Sequence, residues 1–445
     1  MTDTALAALR RPTVVISGRP YPIVLPSARD PRLHLAAVIV SLQILGQTAF
    51  DFRLSIAQIL IALGTCAVLE IGIVFGQRRM IMWPASALLT GNGVAFVLRV
   101  QGTQHGDWWS LRGAWIYAAT AAVALLSKYL IRLRGAHVFN PSNIALVLCF
   151  LILGSGRVEP LDFWWGPMSA LMVLALAIIV GGGLAILSRL HLLTIAIAFW
   201  LSFAIGIAAV AASGHGMTAR WHLGPVTGFQ FWWVLVTSPE ILVFLFFMIT
   251  DPKTSPAGTR ARLAYGISIG LLAALLIAPA PTEFWSKVAV LGALTTVCLA
   301  RPLVARFSTE IRLGRRALVA VAVVTLALYT GGLYIAGAHA RPAATAAESY
   351  EGRLPRITIL PSKGVFSQLD RPAAENIVRD LMSDLKEPER GRVEAVTLRL
   401  ELGPAQGGSA PAARIEEGSG RLKTVELGLK RGRYVITRIR SQGPL

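Results

Sequence analysis

Eleven apolar stretches, joined by short loops that carry most of the charge, dominate the chain as far as Ala338. A helix needs about 20 mostly apolar residues to cross a bilayer. Lipid offers the backbone no hydrogen bonds, so such stretches fold as helices and not as open sheet. The stretches are Leu33–Phe50, Ser55–Gly76, Ile81–Leu98, Leu111–Ile131, Pro141–Gly154, Gly166–Leu187, His191–Ala212, Trp232–Thr250, Leu263–Ala278, Phe284–Leu299 and Ala317–Ala338. The fifth and tenth are short, as in helices that do not cross fully or that start inside the membrane. The expected fold is therefore an all-α polytopic membrane protein of about ten helices plus an eleventh span. From Arg341 onward the chain reads as an ordinary charged, water-soluble segment.

Composition agrees: 54% of residues are hydrophobic and only 15% charged, against about 25% charged in soluble domains. The formal net charge of +19 does not point to nucleic acid, because the basic residues are scattered through short loops. Cys66, Cys149 and Cys298 lie inside apolar stretches, with no CxxC pair and no Cys/His cluster at metal spacing. Neither a disulfide framework nor a metal site is expected. The first thirty-odd residues are polar and Arg-bearing, so the first span, rather than a cleavable signal, is expected to target the chain.

Loop charge sets orientation. With the N-terminus cytoplasmic, the inside segments hold Arg10, Arg11, Arg19, Arg29, Arg32, Arg78, Arg79, Lys128, Arg132, Arg134, Arg189, Lys253, Arg260, Arg262, Arg301, Arg306, Arg312, Arg315 and Arg316. The outside segments hold only Arg53, Arg99, Arg112, Arg157, Arg220 and Lys287. Trp108, Trp109, Trp164, Trp165, Trp221, Trp232 and Trp233 fall at outer ends, as membrane anchors or as the lining of a site that opens outward. These patterns place the chain in a bacterial-type inner (plasma) membrane and export its C-terminal domain.

Ten spans divide into two sets of five, inverted with respect to each other, a design that places sites at the interface of the halves. The third span reads Trp83-Pro84-Ala85-Ser86-Ala87-Leu88-Leu89-Thr90-Gly91-Asn92-Gly93, and the eighth carries Thr237-Ser238-Pro239-Glu240. Proline removes a backbone donor, so both spans are either broken around a polar pocket or structurally kinked. Glu70 and Glu240 are the clearest ionisable residues in spans, and such residues are costly there without a partner or a role. Glu240 adjoins a break. Glu70 lies within expected reach of Arg78 or Arg79. Asn92 and Gln58 serve equally as interhelical hydrogen-bond partners. His137-Val138-Phe139-Asn140-Pro141-Ser142-Asn143 opens the fifth span, and Thr250-Asp251-Pro252-Lys253-Thr254-Ser255-Pro256 follows the eighth. Helix capping and ligand binding both account for these polar residues.

Phe-Asn-Pro at Phe139–Pro141, Ser86–Gly91, and Phe247–Pro256 together resemble the RnfD/NqrB family of membrane redox subunits over roughly Ile81 to Leu303. The resemblance implies two inverted five-helix halves, related in shape to urea and ammonia channels, and flavin chemistry at the membrane. Better-known members carry FMN on a threonine of a Ser-Gly-Ala-Thr motif. The corresponding region here, Gly154–Asp162, has no threonine, so a flavin (FMN or riboflavin) would be held non-covalently. The eleventh span and the exported domain are similar to a divergent, UnbU-like branch associated with enediyne biosynthesis.

The resulting division is an N-terminal tail (1–32), an RnfD/NqrB-like membrane domain (33–303), a basic loop with an extra span (304–338), a linker (339–352) and an exported α+β domain (353–445). In that domain Arg356–Leu360 and Val393–Leu402 read as strands, Arg371–Lys386 as a helix, Thr424–Ile439 as a hairpin and Gly403–Gly420 as a flexible loop. Three functions stay open. One is a redox subunit holding a flavin among Ser86, Thr90, Asn92, Asn140, Ser238, Glu240, Asp251 and Thr254. Another is a channel or transporter for a small solute, with Glu240 and Asn92 on its path. The third is a non-catalytic anchor for redox or biosynthetic partner subunits, docked through the exported domain.

Overall fold

A computed structural model of the chain describes residues 12–27, 30–50, 52–133, 135–161, 170–219 and 225–308. In the C-terminal quarter it describes 354, 356–360, 375, 378–379, 382, 395–401, 412–417, 422–430 and 433–442. The membrane part is helical: α1 (Pro31–Ala49), α2 (Ile56–Arg78), α3 (Ala85–Val97), α4 (Ala114–Leu130), α5 (Pro141–Leu153), α6 (Ala170–Leu190), α7 (Leu193–Ala212), α8 (Gly228–Thr237), α9 (Pro239–Val243), α10 (Thr259–Ile277) and α11 (Glu283–Ser308). One π-helical stretch, Phe244–Met248, continues α9. Among the described residues, six helices are long and apolar enough to cross a membrane, counting Gly228–Met248 as one. This is a multi-pass membrane protein. The expected span over Ala317–Ala338 lies outside the described residues.

Local chemistry sets the helix starts. Asp30 caps α1 through Arg32 N at 2.9 Å, and the Arg32 side chain bonded to it holds the Asp30 carboxyl below its ordinary pKa. Ser55 and Gln58 form a reciprocal capping box on α2. Asn140 caps α5, whose first residue is proline, the position where a missing N–H costs least.

The helices α3 and α5 have 13 residues each, or about 20 Å of helix against a hydrocarbon core of about 30 Å. The remaining depth is spanned by extended chain. Strand β4 (Leu98–Val100) pairs antiparallel with β7 (Val158–Pro160), so the two short helices satisfy each other's extensions. Arg99 donates to the carbonyls of Ala95, Phe96 and Leu98, and the Tyr117 hydroxyl donates to Leu98 O at 2.9 Å.

Packing follows a repeated pattern. Helix α2 packs on α3 and α4, and α4 on α5; α7 packs on α8 and α10, and α10 on α11. The two sets meet where α1 packs on α6 and α5 on α11. Backbones approach closely at Gly91, where a Cβ would lie 2.6 Å from Ala62 O, and at Gly270, where it would lie 2.8 Å from Phe199 O.

Three features differ from expectation. The tenth span is not short: α11 has 26 residues, and its stretch Glu283–Ala300 is by itself long and apolar enough to cross a membrane. Residues 12–24, expected as plain tail, contain a hairpin, β1 (Thr13–Ile16) with β2 (Arg19–Val24). It turns at Ser17 and Gly18, both at positive φ, and β2 pairs in parallel with β3 (Ile81–Met82) just before α3. The C-terminal strands form one sheet in the order β10 (Arg356–Leu360), β11 (Ala395–Glu401), β12 (Ala412–Glu417), β13 (Leu422–Lys430) and β14 (Arg433–Gln442). Strand β12 falls inside the stretch expected as a flexible loop. It forms because both its edges are paired, to β11 and to β13. Of the expected helix, Glu375, Val378, Arg379 and Met382 are helical, and the rest lies outside the described residues.

Glu70 ties three helices together. It is only 2% exposed. It accepts from Ala87 N at 2.9 Å, Lys128 Nζ at 2.6 Å and Tyr129 Oη at 3.0 Å. Pro84, the residue before α3, offers no capping side chain, so Glu70 caps α3 from a neighbouring helix. Its partner is Lys128, not Arg78 or Arg79 as the sequence suggests. Removing one member of a buried ion pair costs about 3–5 kcal/mol. Glu70→Ala is expected to lower the detergent-solubilised protein's melting temperature clearly, and Glu70→Gln, which keeps an acceptor for Ala87 N, to lower it less. Equal melting of Glu70→Ala and the parent would contradict the strut.

Candidate functional site

The eighth span is broken at Ser238. Pro239 has no N–H to continue α8, and Ser238 turns extended, with ψ 133. Its hydroxyl then caps α9, accepting from Ile241 N at 3.0 Å. The break leaves Val236 O without a helical partner, and Trp200 Nε1 of α7 donates to it at 3.1 Å.

Glu240 projects from the first turn after the break. Ser238 Oγ donates to Glu240 Oε2 at 3.1 Å. Lys287 Nζ of α11 lies 3.3 Å from Glu240 and 2.6 Å from Glu283, and also donates to Leu161 O at 2.9 Å. Two carboxylates thus share one ammonium. They border a cavity of about 30 Å³, closed by Met217, Val234, Ile241, Ser286 and Val290, which is room for about one water molecule.

Farther along the same span, the carbonyl of Met248 is also free, since Pro252, four residues on, has no N–H. Asn140 Nδ2 donates to it at 3.1 Å. Nearby, His137 Nε2 meets Asp251 Oδ2 at 3.0 Å. The other Asp251 carboxylate oxygen accepts from Lys253 N at 3.1 Å. The buried Thr254 folds back on the Asp251 carbonyl. The two loop motifs therefore clasp each other.

The third-span residues sit elsewhere. Ser86 Oγ accepts from Lys128 at 2.9 Å, Thr90 Oγ1 donates to Ser86 O at 2.9 Å, and Asn92 Oδ1 accepts from Gln43 of α1 at 2.9 Å. Gln58 bonds Thr103 and the Arg112 carbonyl. Asn92 thus acts as an interhelical partner, whereas Gln58 ties α2 to the loop before α4. The eight expected site residues fall into three groups: Ser238 with Glu240; Asn140 with Asp251 and Thr254; and Ser86, Thr90 and Asn92 along α3. They do not line one pocket. Sequence reasoning missed Lys287, Glu283 and Lys128. The four-residue spacing of Glu283 and Lys287 at a helix start was a usable signal, but both look like loop charges when only orientation is considered.

Residues 153–283 match the family model described as the NQR2, RnfD, RnfE family. The match runs from the end of α5 to the first residue of α11 and includes Ser238, Glu240, Asp251, Thr254 and Glu283. It supports an RnfD/NqrB-type membrane subunit over that stretch. The first-half motifs at Ser86–Gly91 and Phe139–Pro141 lie outside it. No curated protein matches the chain.

The flavin implied by an RnfD/NqrB-type relationship does not fit this cavity. Pockets for ligands of that size run to about 300–1,000 Å³, an order of magnitude above the space beside Glu240. A larger depression of about 410 Å³ is an open, apolar groove between Ala208, Ala212, Phe229 and Trp232, with no polar side chain to orient an isoalloxazine ring.

Lys287 is ion-paired with two carboxylates at once, so its loss removes a cation from both. Lys287→Met is expected to destabilise the protein by about 3–5 kcal/mol. The double variant Lys287→Met with Glu240→Gln should recover part of that loss in thermal melts. Additive losses would contradict the shared pair.

Proposed function

We propose that this chain is the polytopic membrane subunit of an RnfD/NqrB-type electron-transfer assembly, and that the Glu240–Lys287–Glu283 cluster handles the charge moved across the bilayer. The observation that carries this reading is the cluster itself: an ion-paired, cavity-bound group at a helix break, inside the family-matched stretch. Buried carboxylates in membranes mark ion or proton pathways more often than structural ties.

The wider arrangement supports it. The repeated packing pattern, closed by α1 on α6 and α5 on α11, is what two inverted five-helix halves produce. The end bearing Arg78, Lys128 and Arg262 is cytoplasmic in this reading. The end bearing Trp108, Trp109 and Trp233 faces outward, with Trp109 67% exposed, as at a membrane interface. The extra apolar stretch Ala317–Ala338 and the C-terminal sheet, a docking surface for partner subunits, favour the UnbU-like branch. In this reading the electron carriers reside in partner subunits. The chain's own residues hold charge, exclude water and brace the halves.

Two measurements test the proposal. The chain purified alone is expected to lack flavin absorption, whereas stoichiometric flavin bands would overturn the division of labour. In the co-expressed assembly reconstituted in vesicles, Glu240→Gln is expected to cut substrate-driven ion transport by about 100-fold, typical of losing a proton-transfer group, while electron transfer between soluble donor and acceptor continues. Unchanged transport by a folded Glu240→Gln assembly would favour the anchor role instead.

A further inference from the structure

The N-terminal hairpin protects one of its edges and leaves the other open. Ile23 N donates to Pro12 O at 2.7 Å, in line with the register Thr13↔Pro22, Val14↔Tyr21, Val15↔Pro20 and Ile16↔Arg19. Bonded and non-bonded pairs alternate along an antiparallel ladder, so Val14 with Tyr21 and Ile16 with Arg19 are the bonded pairs. Pro20 and Pro22 stand at the positions of β2 that turn away from β1, on the side of β3, where Trp83 N donates to Val24 O at 2.9 Å. Their missing N–H groups blunt that edge, as prolines do on natural sheet edges. On β1 the residues that turn away from β2 are Thr13 and Val15. The strand order is β1-β2-β3, so among the described residues no strand takes their outward N–H and C=O groups.

Strand β1 has none of the usual protection, with no proline, charge or bulge from Thr13 to Ile16. Val14 is 39% exposed and Val15 66%. The hairpin is nonetheless fixed in place. Strand β2 pairs with β3, and the Tyr21 ring lies 5.0 Å from that of Phe75 near the end of α2. An ordered, β-branched open edge is a template for an added strand. The surroundings choose the partner. Residues 5–29 include four arginines, Arg10, Arg11, Arg19 and Arg29, and no acidic residue. Arg79 adds a further cation over the Phe75 ring, 5.9 Å from its centre.

We infer that β1 is a docking edge for an extended segment of another protein, β-branched and apolar at its centre and acidic at its flanks. The segment adds a strand beside β1 and exchanges backbone hydrogen bonds with Thr13 and Val15. Its acidic flanks meet the arginines that precede β1 and follow its turn. Acyl chains do not fit this edge, because hydrocarbon leaves outward N–H and C=O groups unsatisfied. A second copy fits poorly as well. Symmetric pairing about Val14 would set Arg10 and Arg11 of each copy beside the turn and Arg19 of the other, and like charges opposed across strands are destabilising. The Glu240 cluster plays no part in this contact.

The probe is a short labelled peptide of alternating valine and threonine with acidic residues at both ends. It is titrated by fluorescence anisotropy against the full chain in nanodiscs of zwitterionic lipid. The parent is expected to bind it, and to bind about 10-fold more weakly when lysines replace the acidic ends or when the salt is raised. Val15→Pro removes an outward N–H without touching the bonds between β1 and β2. It should weaken binding about 10-fold and leave the melting temperature unchanged, while Val15→Thr should bind like the parent. Methylating alternate backbone nitrogens of the peptide removes the same bonds with the chain unaltered, and should abolish binding. Equal binding by Val15→Pro and the parent, indifference to the charge of the peptide ends, or no binding by the folded parent would overturn the docking edge. A parent dimer that Val15→Pro converts to monomer would assign the edge to a second copy and overturn it too.

Discussion

In hydrocarbon a backbone carbonyl has no water to turn to, and the interior of this protein is organised around that rule. A helix end, or a proline beyond the first turn, frees a carbonyl, and each carbonyl traced above finds a donor on another element. Val236 O takes the Trp200 indole, Met248 O takes the Asn140 amide, and Leu98 O takes Tyr117 and Arg99. The breaks are therefore also the joints, because the group released by one helix is what its neighbour grips. The short helices α3 and α5 follow the same logic, their extended continuations pairing as β4 and β7.

Charges obey a harsher version of the rule. Glu70 is surrounded by an ammonium, a phenol and a backbone amide, so it serves as a cap and a brace. Glu240 shares its lysine with Glu283 beside a small cavity. The first carboxylate is enclosed by donors and the second borders open space, which gives the second cluster its chemical interest.

The spans were legible because apolar length is a one-dimensional property, and all ten starts expected before Ala317 lie within about four residues of the observed helices, the usual scatter of such boundaries. The eighth-span break was legible for the same reason, since Pro239 acts on its own backbone. Partners were not. Lys128 and Lys287 belong to other helices, and nothing near Glu70 or Glu240 in the chain names them. Strand β12 was missed because its residues are weakly hydrophobic and are held by pairing on both edges. The hairpin at Ser17-Gly18 was missed because its strands are only four and six residues long and the second carries Pro20 and Pro22, which argue against a strand. Asn143 reads in the sequence only as part of a helix-start motif, and its bond to Thr295 joins residues far apart in the chain.

The clasp between the fifth span and the second five-helix set has a consequence for biogenesis. Asn140 and Asn143 find their partners 108 to 152 residues downstream. At synthesis rates of about 5–20 residues per second, the ribosome needs roughly five to thirty seconds to make that stretch. During that interval a short helix with a proline start and two bare amides must sit in or beside the insertion machinery, too short to cross and too polar to be released into lipid. The bonds that satisfy these amides therefore form only once the nascent chain supplies α11, so a later helix completes an earlier one.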